Sequence, residues 1–166
     1  MLSRYLIYSL LFFFYLFINA HCVSVDIEGP HIEKSKEVSY QSPSHFTSFE
    51  QSELDAAWKN ESNGNTISYL SECNSSSDPS HEIIRDGVIS SLGKYKILQQ
   101  QTINFNNRQA LSSLVESDVD GISTKFKIVI LKKNSCIFII TYVGLSEKFQ
   151  DDLDDFNKFL QGFKVP

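Results

Sequence analysis

The stretch Gly121 to Gly144, GISTKFKIVILKKNSCIFIITYVG, constrains the fold more than any other part of this chain, because it reads as one β-hairpin with two apolar faces. Phe126 to Leu131 and Ile137 to Val143 are β-branched and aromatic runs, and Lys132, Lys133, Asn134 and Ser135 form the polar tip between them. With Lys133-Asn134 as a two-residue loop, Ile130 faces Ile137 and Ile128 faces Ile139, while Leu131 meets Cys136 and Val129 meets Phe138 on the other side. A strand pair that is apolar on both sides must be covered on both. The hairpin therefore belongs in the middle of a sheet.

Length and composition bound what can surround it. A chain of 166 residues, 42% hydrophobic and 13% aromatic, supports one domain with a substantial core. The net charge of -5 and the scattered lysines give no basic face, which argues against nucleic acid or an anionic membrane surface as partner. Residues 1–20, MLSRYLIYSLLFFFYLFINA, read as a signal peptide with one early charge, Arg4, and an apolar run from Tyr5 to Ile18. That run is about 14 residues, short of the roughly 20 a spanning helix needs, so cleavage after Ala20 is expected and the mature chain would start at His21. The expected address is periplasmic or secreted. The alternative is a membrane-anchored lipoprotein carrying lipid on Cys22, or attachment through an uncleaved signal, although the bulky His21 is a poor residue to precede a lipidated cysteine.

Export changes how the three cysteines are read, because thiols in an oxidising compartment pair. Cys73 and Cys136 lie at strand ends inside the folded region and Cys22 lies at the extreme mature N-terminus, so Cys73 with Cys136 is the economical disulfide. Closing a loop of about 60 residues would stabilise by roughly 4 kcal/mol in the chain-entropy account. The other reading is a pair of buried free thiols acting as small apolar side chains.

Residues 21–37 are polar and read as a tether, with an early edge strand around Val38 to Gln41 opening a domain that spans 38–166. Leu54 to Asn60 and Thr66 to Cys73 pair across the turn-rich Glu61 to Asn65, with Trp58 as a core anchor. Asp78-Pro79 opens a helix whose buried face is Ile84, Val88, Leu92 and Ile89, stopped at Gly93. Ile97 to Phe105 and Gln109 to Val119 form a second hairpin around Asn106-Asn107, and Asp120-Gly121 supplies the next turn. Gln99, Gln100 and Gln101 are expected to face solvent. From about Ser146 a last helix carries the stripe Phe149, Leu153, Phe156, Leu160 and Phe163.

Chemistry-bearing motifs fail on inspection. His81-Glu82 begins a zinc-protease helix pattern, but Arg85 stands where the second histidine is required. His21, His31 and His45 are widely spaced without partners at ligand spacing. Asp151, Asp152, Asp154 and Asp155 read as a solvated helix face rather than a calcium loop. No catalytic residue, metal ligand or cofactor site is therefore assigned. Asn60-Glu61-Ser62 and Asn74-Ser75-Ser76 match the N-glycosylation pattern, which matters for a eukaryotic source.

The order of elements, with a Trp-containing hairpin ending in TISYLSEC, then a helix, a long meander and FNKFLQGF, resembles the Mog/PsbP-like domains and their small exported bacterial members. The likeness covers about Val38 to Val165, and it includes a cysteine ending the second early strand and another opening the last strand. Asn107 and Gly162 depart from residues common in that family. The resemblance implies an α+β fold, an antiparallel sheet of about six strands sandwiched by helices, in a family of binding or assembly modules. A non-enzymatic envelope module with an unknown protein partner is the leading expectation, and a monomer is expected. The alternatives are a small hydrolase, whose histidine would have to be His81, and a secreted eukaryotic protein.

Overall fold

The computed structural model describes residues 33–74 and 77–166. The signal segment 1–20, Cys22 and the tether as far as residue 32 lie outside the described residues. The described chain forms β1 (Thr47–Phe49), β2 (Ala56–Lys59), β3 (Thr66–Cys73), α1 (His81–Ile89), β4 (Tyr95–Phe105), β5 (Arg108–Val119), β6 (Ile122–Lys133), β7 (Cys136–Leu145) and α2 (Leu153–Gly162). The strands make one seven-stranded sheet in the order β1-β2-β3-β7-β6-β5-β4. Every pairing is antiparallel. The hairpin of β6 and β7 is central, as its two apolar faces require.

Period-two alternation sends neighbouring residues of this hairpin to different helices. Val129, Leu131, Phe138, Ile140 and Tyr142 join Trp58, Ile67 and Tyr69 in one core with Phe149, Phe156, Phe159 and Phe163. Ile128 and Ile130 point the other way and pack with Val115 against Ile89, flanked by Ile84, Val88, Leu92, Ile137 and Ile139. The sheet is thus covered by α2 on one face and α1 on the other. Burial of each large apolar side chain contributes about 1.5–3 kcal/mol, so both helices are held mainly by these stripes.

Four local readings need correction. The β6–β7 turn is Asn134-Ser135, with φ of 51° and 61°, so Lys133 pairs with Cys136, Ile130 with Ile139 and Leu131 with Phe138. The register lies two residues from the expected one, and a slip of two leaves every side chain on its expected face. Val38 to Gln41 is not a strand: it contributes one bridge, Ser39 to Lys164, and the edge position belongs to β1, making seven strands instead of about six. Helix α1 begins at His81 behind an N-cap at Ser80, whose hydroxyl accepts from the Ile83 N–H at 3.3 Å. Helix α2 begins at Leu153, and Ser146 to Asp152 are turns. Phe149 reaches the core from that turn region, Leu153, Phe156 and Leu160 lie on helix and Phe163 follows its end, so apolar spacing overstated the start of the helix by about two turns.

The other turns follow their residues. Asn106-Asn107 has φ of 53° and 61°, and Asp120-Gly121 has 53° and 81°, the left-handed pairs that tight hairpins demand. Gly93 ends a short 3-10 extension of α1 at φ 70°.

Candidate functional site

Cys73 and Cys136 are directly opposite on β3 and β7 and are joined by a disulfide, with Cα atoms 4.0 Å apart. The bond closes the end of the sheet where the N-terminal segment arrives. Glu33 bridges to Cys73, the Ser35 N–H donates to Ser71 Oγ at 2.8 Å, and the Lys34 ammonium donates to Glu53 O at 2.9 Å. Residues 33–35 of the tether therefore lie along the part of β3 that β2 leaves unpaired.

Beside this strap is an open cleft of about 670 Å³ at the β1 edge. Its floor is Ala56, Ala57 and Trp58 of β2, its rim is Ser48 and Phe49 of β1 with the loop Glu50 to Leu54, and Tyr40 and Ser42 form its far wall. Ala56, on the same sheet face as Trp58, offers only a methyl group to the floor, whereas Ala57 points to the other face of β2. Trp58 is only 5% exposed, so the anchoring role expected of it holds. Tyr40 stands edge-on to it at 5.2 Å between ring centroids and edge-on to Tyr69 at 5.4 Å. Tyr40 and Phe49 remain 36% and 41% exposed, a pair of aromatic surfaces facing the opening. Asp55 is committed to structure: it accepts the Ser71 N–H and lies 3.8 Å from the Lys34 ammonium. Burial holds the Tyr69 phenol well above the usual tyrosine range, with the Tyr40 and Asp55 charges adding to the effect. Among the described residues no Lys, Arg or His lines the cleft, whereas Glu50 and Asp55 do. Aromatic faces, hydroxyls and carboxylates together suit a neutral or cationic group.

Asp151 and Asp154 are exposed, as expected of a solvated acidic face, but Asp152 is not. Asp152 is buried, and its carboxylate accepts from the side-chain amides of Asn60 at 3.0 Å, Asn63 at 2.7 Å and Asn65 at 2.7 Å. The Asn65 amide also donates to Tyr142 Oη, whose hydroxyl donates to Phe149 O at 2.7 Å. Burial, then the Asp152 charge, pushes the Tyr142 phenol well above its usual range and keeps this hydrogen available. The network ties the β2–β3 loop to the turn ahead of α2 and is structural. It also closes one glycosylation pattern, since the Asn60 amide is inside it, whereas Asn74 is exposed and bonded at the surface to Glu33.

His81 lies at the start of α1, and its buried Nε2 has no hydrogen-bond partner among the described residues. Burial and then the Lys132 charge lower its pKa. Among the described residues no hydroxyl or thiol hydrogen-bonds to that nitrogen, the contact a histidine-activated nucleophile would make. Among the described residues no group of three His, Cys, Asp or Glu is placed to hold a metal, and no helix is long and apolar enough to cross a membrane.

No known family model and no curated protein matches the sequence. Solved structures do match. LpqN of Mycobacterium tuberculosis, described as involved in cell envelope biogenesis, superposes with a TM-score of 0.57 at 11% identity, covering 84% of this chain and 88% of its own. The PsbP protein of the cyanobacterium Synechocystis gives 0.55 at 7% identity, covering 83% and 96%. PA94 of Pseudomonas aeruginosa, a protein of unknown function, gives 0.50 at 12% identity, covering 74% and 97%. The fold is therefore PsbP-like, as the resemblance implied.

Proposed function

We propose that this chain is an exported, envelope-associated binding module that engages its partner through the cleft between Tyr40, Phe49 and Trp58. The observation that carries this reading is the cleft itself, an open volume of about 670 Å³ whose aromatic rim stays exposed while the rest of that core face is sealed by α2. Export is supported by the apolar leader and by the disulfide, a bond that persists in oxidising compartments. The envelope setting is supported by the fold shared with a mycobacterial protein described as acting in envelope biogenesis. The partner group is neutral or cationic, because among the described residues the lining carries the Glu50 carboxylate and no Lys, Arg or His, Asp55 being already held by Lys34 and the Ser71 N–H. Lipidation of Cys22 is a second route to the membrane for the same domain.

A photo-crosslinking amino acid at Phe49, expressed in the native host, tests the reading. A discrete adduct from Phe49, absent when the same group replaces Glu147, is expected. Recovery of uncrosslinked protein alone, or identical adducts from both positions, would count against a cleft-centred module.

A further inference from the structure

The two edges of the sheet are built differently. At one end β1 offers only three residues, and the strap at Glu33 to Ser35 occupies the neighbouring free stretch of β3. At the other end β4 runs for eleven residues, and among the described residues nothing hydrogen-bonds to its outer side. Natural sheets protect such an edge with charge, proline or brevity. Ile97 to Phe105, ILQQQTINF, carries neither charge nor proline, and its one irregularity is the register shift at Leu98.

The geometry points to β4 as the interface of a two-fold homodimer, in which the β4 strands of two copies pair antiparallel around Gln100. Phe105 and Arg108 flank a two-residue turn and form its closing hydrogen-bonded pair, so alternation turns the backbone N–H and C=O of Gln100, Thr102 and Asn104 outward. A strand meeting its own copy about Gln100 sets Gln100 against Gln100 and Gln99 against Gln101. Counting the extra residue at Leu98, Thr102 then faces Ile97 and Ile103 faces Lys96, so no like charges meet. The run is thus complementary to itself, which is what an isologous contact requires. On one face the Gln100 side chain is already held by the Arg85 guanidinium of α1, which fixes the centre of the strand. The cleft lies at the opposite edge and stays open in such a pair. This places two copies in register where the sequence alone led to a monomer.

The test is sedimentation of the mature protein across a dilution series, with a Gln99→Lys/Gln101→Lys variant and, in a Cys22→Ser background, a Gln100→Cys variant under mild oxidation. The wild type should sediment as a concentration-dependent dimer, and the double lysine variant, which sets two like-charged pairs opposite each other, should weaken it roughly tenfold. Gln100→Cys should crosslink into a covalent dimer. A wild type that stays monomeric throughout would overturn the proposal, as would a dimer that the lysines leave unchanged and Gln100→Cys fails to trap. Thermal melting confirms that each variant is folded before it is scored.

Discussion

Asp152 and Gly144 show how much of this molecule is decided by single residues. A Cβ on Gly144 would overlap Asn65 Oδ1, an atom buried against that glycine with no hydrogen-bond partner among the described residues. Gly144→Ala must push Asn65 out of its place, and a loss of about 1–3 kcal/mol in stability is expected in urea unfolding. Asp152→Ala strands three buried or half-buried amides at once and should cost about 2–4 kcal/mol, whereas Asp154→Ala, on an exposed helix position, should cost little. This network was not legible beforehand. Four aspartates around a helix start look alike in sequence, and only tertiary placement brings the Asn60, Asn63 and Asn65 amides onto one of them. The asparagines themselves were a usable signal, because three amides within six residues beside a buried strand need acceptors. His81 yields a pH prediction. Its folded-state pKa lies below the usual 6.5 because burial and Lys132 disfavour the imidazolium. The unfolded chain therefore binds the proton first as pH falls, so stability is full above 6.5 and declines below it. His81→Asn should flatten that decline in melting curves taken from neutral to acid.

At the scale of elements, hairpins were read well and their exact loops less so. Two apolar faces and turn residues located β6 and β7, but Asn134 and Ser135 tolerate the left-handed region better than Lys133 does, and turn geometry set the register. Ser135 at φ 61° should be improved by glycine, and Ser135→Gly is expected to raise stability by a few tenths to about 1 kcal/mol in chemical denaturation. An unchanged or lower midpoint would show that the Ser135 backbone is not strained. The early edge strand was misplaced because short edge strands carry little pattern, and β1 has only three residues. The disulfide joins two adjacent strands across a separation of 63 residues, so reduction should lower the melting temperature.

For the whole molecule, the order of elements, through its resemblance to the Mog/PsbP-like domains, was enough to reach a PsbP-like α+β fold, because that order depends on packing patterns spread along the chain. The cleft was not legible, since Tyr40, Phe49 and Trp58 come from separate segments that only the tertiary fold brings together. The central claim is that this fold works outside the cytoplasm, as an oxidised module presenting that cleft. Its most direct test is the intact mass of the protein isolated from its own host, alkylated before and after reduction. The expected result is the mass of His21–Pro166 with one alkylated cysteine before reduction and three after it. The full chain of 18.9 kDa with all three cysteines alkylated before reduction would contradict it.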